Sequence, residues 1–118
     1  MNKLIVALSL GAAAFALSGQ VLAAGNAANG AALAQKYNCA SCHGADYKTP
    51  IDPSYPKLAG QHADYLVHAL TAYKRGNKAS NGRNNAIMAG MAQPLTDRDM
   101  VDIAAYLQSL PGPLVTKR

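Results

Sequence analysis

The 118-residue chain has no tryptophan and one phenylalanine. Many of its apolar residues are alanine, so the bulk available for a core is small. A small domain this poor in large side chains needs a covalent staple or a large apolar cofactor to fold stably. Strand signals, internal repeats and low-complexity tracts are missing, which excludes sheet folds and repeat arrays. No dense run of basic residues occurs, which argues against nucleic acid as a partner. The one long apolar run, Leu4 to Leu17, is too short for a membrane span. Cysteine occurs only twice, so no disulfide framework is available.

Those two cysteines lie in Cys39-Ala40-Ser41-Cys42-His43. Two cysteines three apart followed at once by histidine is the attachment pattern of a c-type haem. On one helical turn, positions i and i+3 share a face, so both thiols can reach one porphyrin edge. His43 is then placed to bind iron. A small disulfide is a weaker alternative. A thioredoxin-like redox pair would need a strand-helix-strand context, and no β-rich run precedes Cys39. A zinc site could be drawn from Cys39, Cys42, His62 and His68, but the gap from Cys42 to His62 is longer than finger spacings. His62 and His68 also fall on different faces of a helix, and each reads as a surface or partly packed histidine.

Lys3, the apolar run and Val21-Leu22-Ala23 form the three parts of a secretory signal peptide. Cleavage is expected after Ala23, with Ala24 as the next choice. Residues 1–23 are thus read as a leader and 24–118 as one domain of about 95 residues, exported to a bacterial periplasm. There, thiols consumed as thioethers would escape oxidation. Eleven Lys and Arg stand against six Asp, a formal charge of +5, of which the leader carries Lys3. This moderate excess suits either plain solubility or partners with acidic docking surfaces.

The periodicity is helical throughout, giving an all-α fold. Asn26 to Asn38 forms a first helix, capped by Asn26 or Asn29. Gly44 to Gly60 carries Pro50, Pro53 and Pro56 and reads as a long loop of the kind that packs on a cofactor. A carbonyl in this loop, such as that of Pro56, is a natural acceptor for the second ring nitrogen of His43. Gln61 to Gly76 forms a second helix with a stripe at Tyr65, Leu66, Ala69, Leu70 and Tyr73, and Gly76 as its C-cap. Asn77 to Pro94 reads as a second irregular stretch. Thr96 opens the last helix, with Asp99 completing a capping box and Met100, Ile103, Ala104 and Leu107 on one face. Pro111 and Pro113 end it. His43 leaves one iron position open. Met100 reads as core, and Met88 and Met91 both remain candidates for the second ligand.

Four blocks, CASCHGAD, YPKLAGQHADYL, KRG and MAGMAQPLTDRDMVDIAAYL, together resemble a class I cytochrome c. They are most similar to one half of a cytochrome c4-type protein and to its single-haem, cytochrome c553-like relatives. The resemblance covers nearly the whole chain after the leader. It implies a small all-α fold of three to five helices, with long loops wrapped around one covalently bound haem c. In that family the ligand methionine lies eight residues before the Ser or Thr that opens the last helix, which here is Met88. The loop proline supporting the histidine corresponds to Pro56, and an arginine near the haem propionates to Arg83. Gly30 and Tyr106 correspond to the crossing of the first and last helices.

The implied function is a periplasmic one-electron carrier, not itself an enzyme, with iron held by His43 and Met88. An electron-accepting subunit of a periplasmic oxidoreductase is the alternative. The implied partners are redox proteins, with no nucleic acid and no membrane span after cleavage, and the protein is read as a monomer or weak dimer. Lys48, Lys57, Lys74, Arg75 and Lys78 are candidates for steering an acidic partner. Where the di-haem members hold two attachment motifs, this chain holds one.

Overall fold

In the computed structural model, residues 24–113 are described, and the leader expected at 1–23 lies outside the described residues. Among the described residues five α-helices follow one another: α1 (Ala27–Lys36), α2 (Ala40–His43), α3 (Ala63–Arg75), α4 (Ala86–Ala92) and α5 (Asp97–Ser109), with a 3-10 turn at Gly76–Lys78. No strand occurs among the described residues.

Local chemistry starts and stops these helices. The Asn26 side chain accepts the Asn29 N–H at 3.0 Å and opens α1. Gly76, at φ 64°, closes α3, its N–H donating to the carbonyls of Ala72 and Tyr73. Thr96 and Asp99 form the full reciprocal capping box of α5. The expected apolar face of α5 is buried at Met100, Ile103, Ala104 and Leu107. It packs with Ala34, Tyr47, Ala59, Leu66 and Leu95 into one core cluster.

One expected element differs. The stretch from Asn77 to Pro94 is not irregular throughout, because α4 lies inside it. Asn85 caps α4, its side chain accepting the Met88 N–H at 2.9 Å. Seven residues with a glycine among them are too few for a readable period, and a helix so short needs tertiary packing to exist.

Helices α1 and α5 cross at Gly30. A Cβ built there would lie 1.9 Å from the Asp102 backbone oxygen and 2.9 Å from the Tyr106 Cβ. The crossing is latched by the buried Asp102 carboxylate. It accepts the Asn26 backbone N–H at 2.8 Å and the Asn29 side-chain amide at 2.7 Å, and pairs with Arg98 at 3.0 Å. Donation from Asn29, then from the Asn26 N–H, holds the Asp102 carboxyl below the usual range. A depressed folded-state value means stability that is complete above the unfolded value, about 3.9, and is lost as pH falls through the folded one. Asp102→Asn should therefore be less stable at neutral pH and lose less further stability on acidification below about pH 4. Urea midpoints from pH 7 to pH 3 check this, and an acid slope equal to that of the unmodified protein would refute it.

Candidate functional site

The site begins with how α1 ends. Asn38 takes the left-handed conformation, φ 56°. Its N–H donates to the Gln35 carbonyl at 3.0 Å, and the Cys39 N–H to that of Ala34 at 3.0 Å. This is a Schellman stop, and Asn tolerates the required φ better than most residues. It delivers Cys39 directly into α2. The turn closes by the His43 N–H donating to the Cys39 carbonyl at 3.1 Å. Cys39 and Cys42 are both free thiols, each partly buried. Burial pushes the Cys39 thiol up, so it stays protonated at neutral pH.

His43 is 7% exposed. Its Nδ1 lies 2.9 Å from the Pro56 carbonyl oxygen. A carbonyl can only accept, so Nδ1 carries a proton, and in the neutral ring that leaves the lone pair on Nε2. Nε2 makes no hydrogen bond among the described residues.

The loop that supplies Pro56 is pinned from several sides. The Ile51 N–H donates to the Cys42 carbonyl at 3.1 Å, and the N–H groups of Leu58 and Ala59 to that of Tyr47. The Asp46 carboxylate accepts from the N–H groups of Lys48 and Thr49, which lowers its pKa. Tyr47 is buried edge-to-face against Tyr106 at 5.8 Å, and burial pushes its phenol up to about 12. The Gly60 N–H ties the loop's end to the Leu107 carbonyl on α5 at 2.9 Å.

The methionines now separate. Met100 is core, 1% exposed. Met88 is partly buried on α4, and Met91, three residues on, is 36% exposed. Arg83 sits before α4 with its guanidinium over the rings of Tyr65 at 5.5 Å and Tyr73 at 5.4 Å, and donates to the Tyr65 hydroxyl at 3.3 Å. This clamp was not expected from the sequence, where both tyrosines read only as apolar-stripe positions. Their spacing of eight on one helix was the available signal.

One other reading changes. Lys74 donates its ammonium to the Leu95 carbonyl, which ties down a charge expected to steer partners. His62 and His68 are exposed, and no group of three or more His, Cys, Asp or Glu among the described residues could hold a metal ion. The zinc set therefore does not assemble. Two thiols on one turn, an imidazole with a free Nε2 and a thioether on a separate helix suit a thioether-linked iron porphyrin. Hard cations instead take oxygen ligands.

A small all-α domain whose helices frame one Cys-X-X-Cys-His turn, its histidine backed by a loop carbonyl, has the form of a c-type haem protein. The chain belongs to the cytochrome c family: the family model described as Cytochrome c matches residues 27–111. Proteins of this family carry a covalently bound haem c and transfer electrons. The chain is 40% identical to cytochrome c4 of Stutzerimonas stutzeri over 116 residues, covering 95% of this chain and 52% of that protein. It is 46% identical to cytochrome c-554(548) of Halomonas halodenitrificans over 71 residues, covering 60% of this chain and 82% of that one. Among solved structures, reduced recombinant cytochrome c4 from Pseudomonas stutzeri matches with a TM-score of 0.65 at 39% identity, covering 77% of this chain and 48% of that one. The chain thus spans about half the length of the cytochromes c4 it matches. No helix among the described residues is long and apolar enough to cross a membrane.

Proposed function

We propose that the chain is a single-haem electron carrier of the periplasm, exported by the leader at residues 1–23. Cys39 and Cys42 would form the two thioethers, and His43 Nε2 and the Met88 sulfur would hold the iron. The haem c supplies a one-electron ferrous/ferric couple. The observation that carries this reading is the His43 Nδ1 to Pro56 carbonyl hydrogen bond of 2.9 Å, beside two free thiols on one turn. The Pro56 carbonyl fixes the tautomer, aims the ring and raises the basicity of Nε2.

With two protein ligands on the metal, no position is left for substrate, so the chain binds and positions but breaks no bond. A soft sulfur ligand favours the ferrous state and raises the potential. Arg83, oriented by Tyr65 and Tyr73, is assigned to the haem propionates, where a fixed cation suits carboxylates. Lys48 and Lys57 line an open hollow of about 690 Å³ with Thr49, Pro50, Pro53 and Tyr55. Together with Arg75 and Lys78 they are the charges left to steer an acidic redox partner.

Expression in a bacterium competent for haem attachment tests the reading. The exported product should stain for haem after denaturing electrophoresis, carry one haem per chain, and show low-spin ferric and ferrous spectra. A colourless mature protein, or one that loses its pigment on denaturation, would refute it.

A further inference from the structure

Helix α4 is weakly held by burial. Of its seven residues only Ala92 is buried. Ile87 is 58% exposed, and a Cβ added at Gly90 would meet nothing within 4 Å. Against the protein's own residues, then, α4 buries little apolar surface.

Hydrogen bonds at its two ends are placed to supply the rest, and they converge on the last turn of α3. The last carbonyls of any helix lack intrahelical donors. Here the segment carrying α4 reaches two of them, the Ala72 carbonyl being shared with the Gly76 N–H. Ahead of α4, the Arg83 N–H donates to the Ala72 carbonyl at 2.9 Å. Behind it, the Gln93 side-chain amide donates to the Lys74 carbonyl at 2.8 Å. Lys74 returns a bond of its own, its ammonium donating to the Leu95 carbonyl. A charged donor makes this one of the stronger kinds of hydrogen bond. Lys74 is thus both acceptor and donor for the same few residues.

We infer that the C-terminal turn of α3 is a clip on the segment from Arg83 to Leu95, with Lys74 and Gln93 as its positioning residues, and that this clip sets how readily Met88 leaves the iron. The inference rests on the proposed ligation by Met88. Met88 lies between the two points of attachment, so opening the rear one frees α4 to swing its thioether away.

The test uses the haem-loaded protein with Gln93→Leu and Lys74→Leu. Carbon monoxide can bind the ferrous iron only after the methionine departs, so its binding rate reports the open population. Loss of either hydrogen bond should raise that rate about tenfold. The ferric methionine-to-iron charge-transfer absorption should persist at neutral pH but disappear at a lower alkaline pH than in the unmodified protein. Asp102→Asn serves as a reference: it weakens the distant α1–α5 crossing and should leave the carbon monoxide rate unchanged.

Rates within about twofold of the unmodified protein in both variants would overturn the clip alone, leaving the ligation standing. A rise of the same size in Asp102→Asn would likewise assign the effect to general loosening and overturn it. An unmodified protein that lacks the charge-transfer absorption, or binds carbon monoxide at once, would overturn ligation and clip together. Should Lys74→Leu not accumulate with haem, Gln93→Leu carries the test, since Gln93 is exposed.

Discussion

Met88→Ala is expected to abolish the methionine-to-iron charge-transfer absorption of the ferric protein completely, and Met91→Ala to leave it intact. The structure sets the two side chains apart by their surroundings. Met88 is partly buried on α4 and its N–H is capped by Asn85, which fixes the first turn of the helix. Met91 is 36% exposed. Losing the soft ligand removes its preference for ferrous iron, so the reduction potential should fall in Met88→Ala. The reduced variant should also bind carbon monoxide rapidly and completely. Optical spectra of both variants, with a potentiometric titration, decide the matter. The reverse pattern would move the ligand three residues on, and an unaffected absorption in both would remove α4 from the ligand set.

Gly30→Ala is expected to be among the most destabilising single methyl additions. The added Cβ would fall 1.9 Å from the Asp102 carbonyl oxygen, which is backbone of the facing helix and cannot rotate aside. Helices α1 and α5 must then separate. Their separation lengthens the bonds from Asn26 and Asn29 to Asp102, now 2.8 and 2.7 Å. Overpacking costs about 1–3 kcal/mol, and a buried carboxylate losing a donor about 1–3 kcal/mol more. At about 4–8 °C per kcal/mol in a domain this size, the melting temperature should drop by at least 10 °C or so. Gly90→Ala is the internal comparison. That position opens into free space within a helix, where alanine gains about 0.5–1 kcal/mol over glycine. Thermal melts of the two haem-loaded variants should move in opposite directions. A fall of less than about 5 °C for Gly30→Ala would show that the crossing can relax.

Some of the fold is legible because its causes lie within a few residues. The thiols and His43 share one turn by spacing alone. Thr96 and Asp99 close their box across three positions, and Gly76 stops α3 because it accepts a positive φ. The α5 face repeats every three to four residues for three turns, long enough to read. Helix α4 offers only its Asn85 cap: it is short, contains Gly90, and is held by Gln93 reaching 19 residues back to Lys74. Its formation was therefore not readable from Asn77 to Pro94. The direction of a long side chain is equally non-local. Lys74 reads as a surface cation at a helix end until Leu95 is seen to accept its ammonium.

The order of residues alone determined the Cys-X-X-Cys-His turn and the helical class, because these depend on covalent spacing and on backbone preferences of neighbours. Tertiary structure alone decided that Asn29 meets Asp102 across 73 residues, that Arg83 lies between Tyr65 and Tyr73, and which methionine is core, partly covered or exposed. Such pairings are won by packing and by the need to satisfy buried polar groups, and those forces act between surfaces that meet only once the chain has folded.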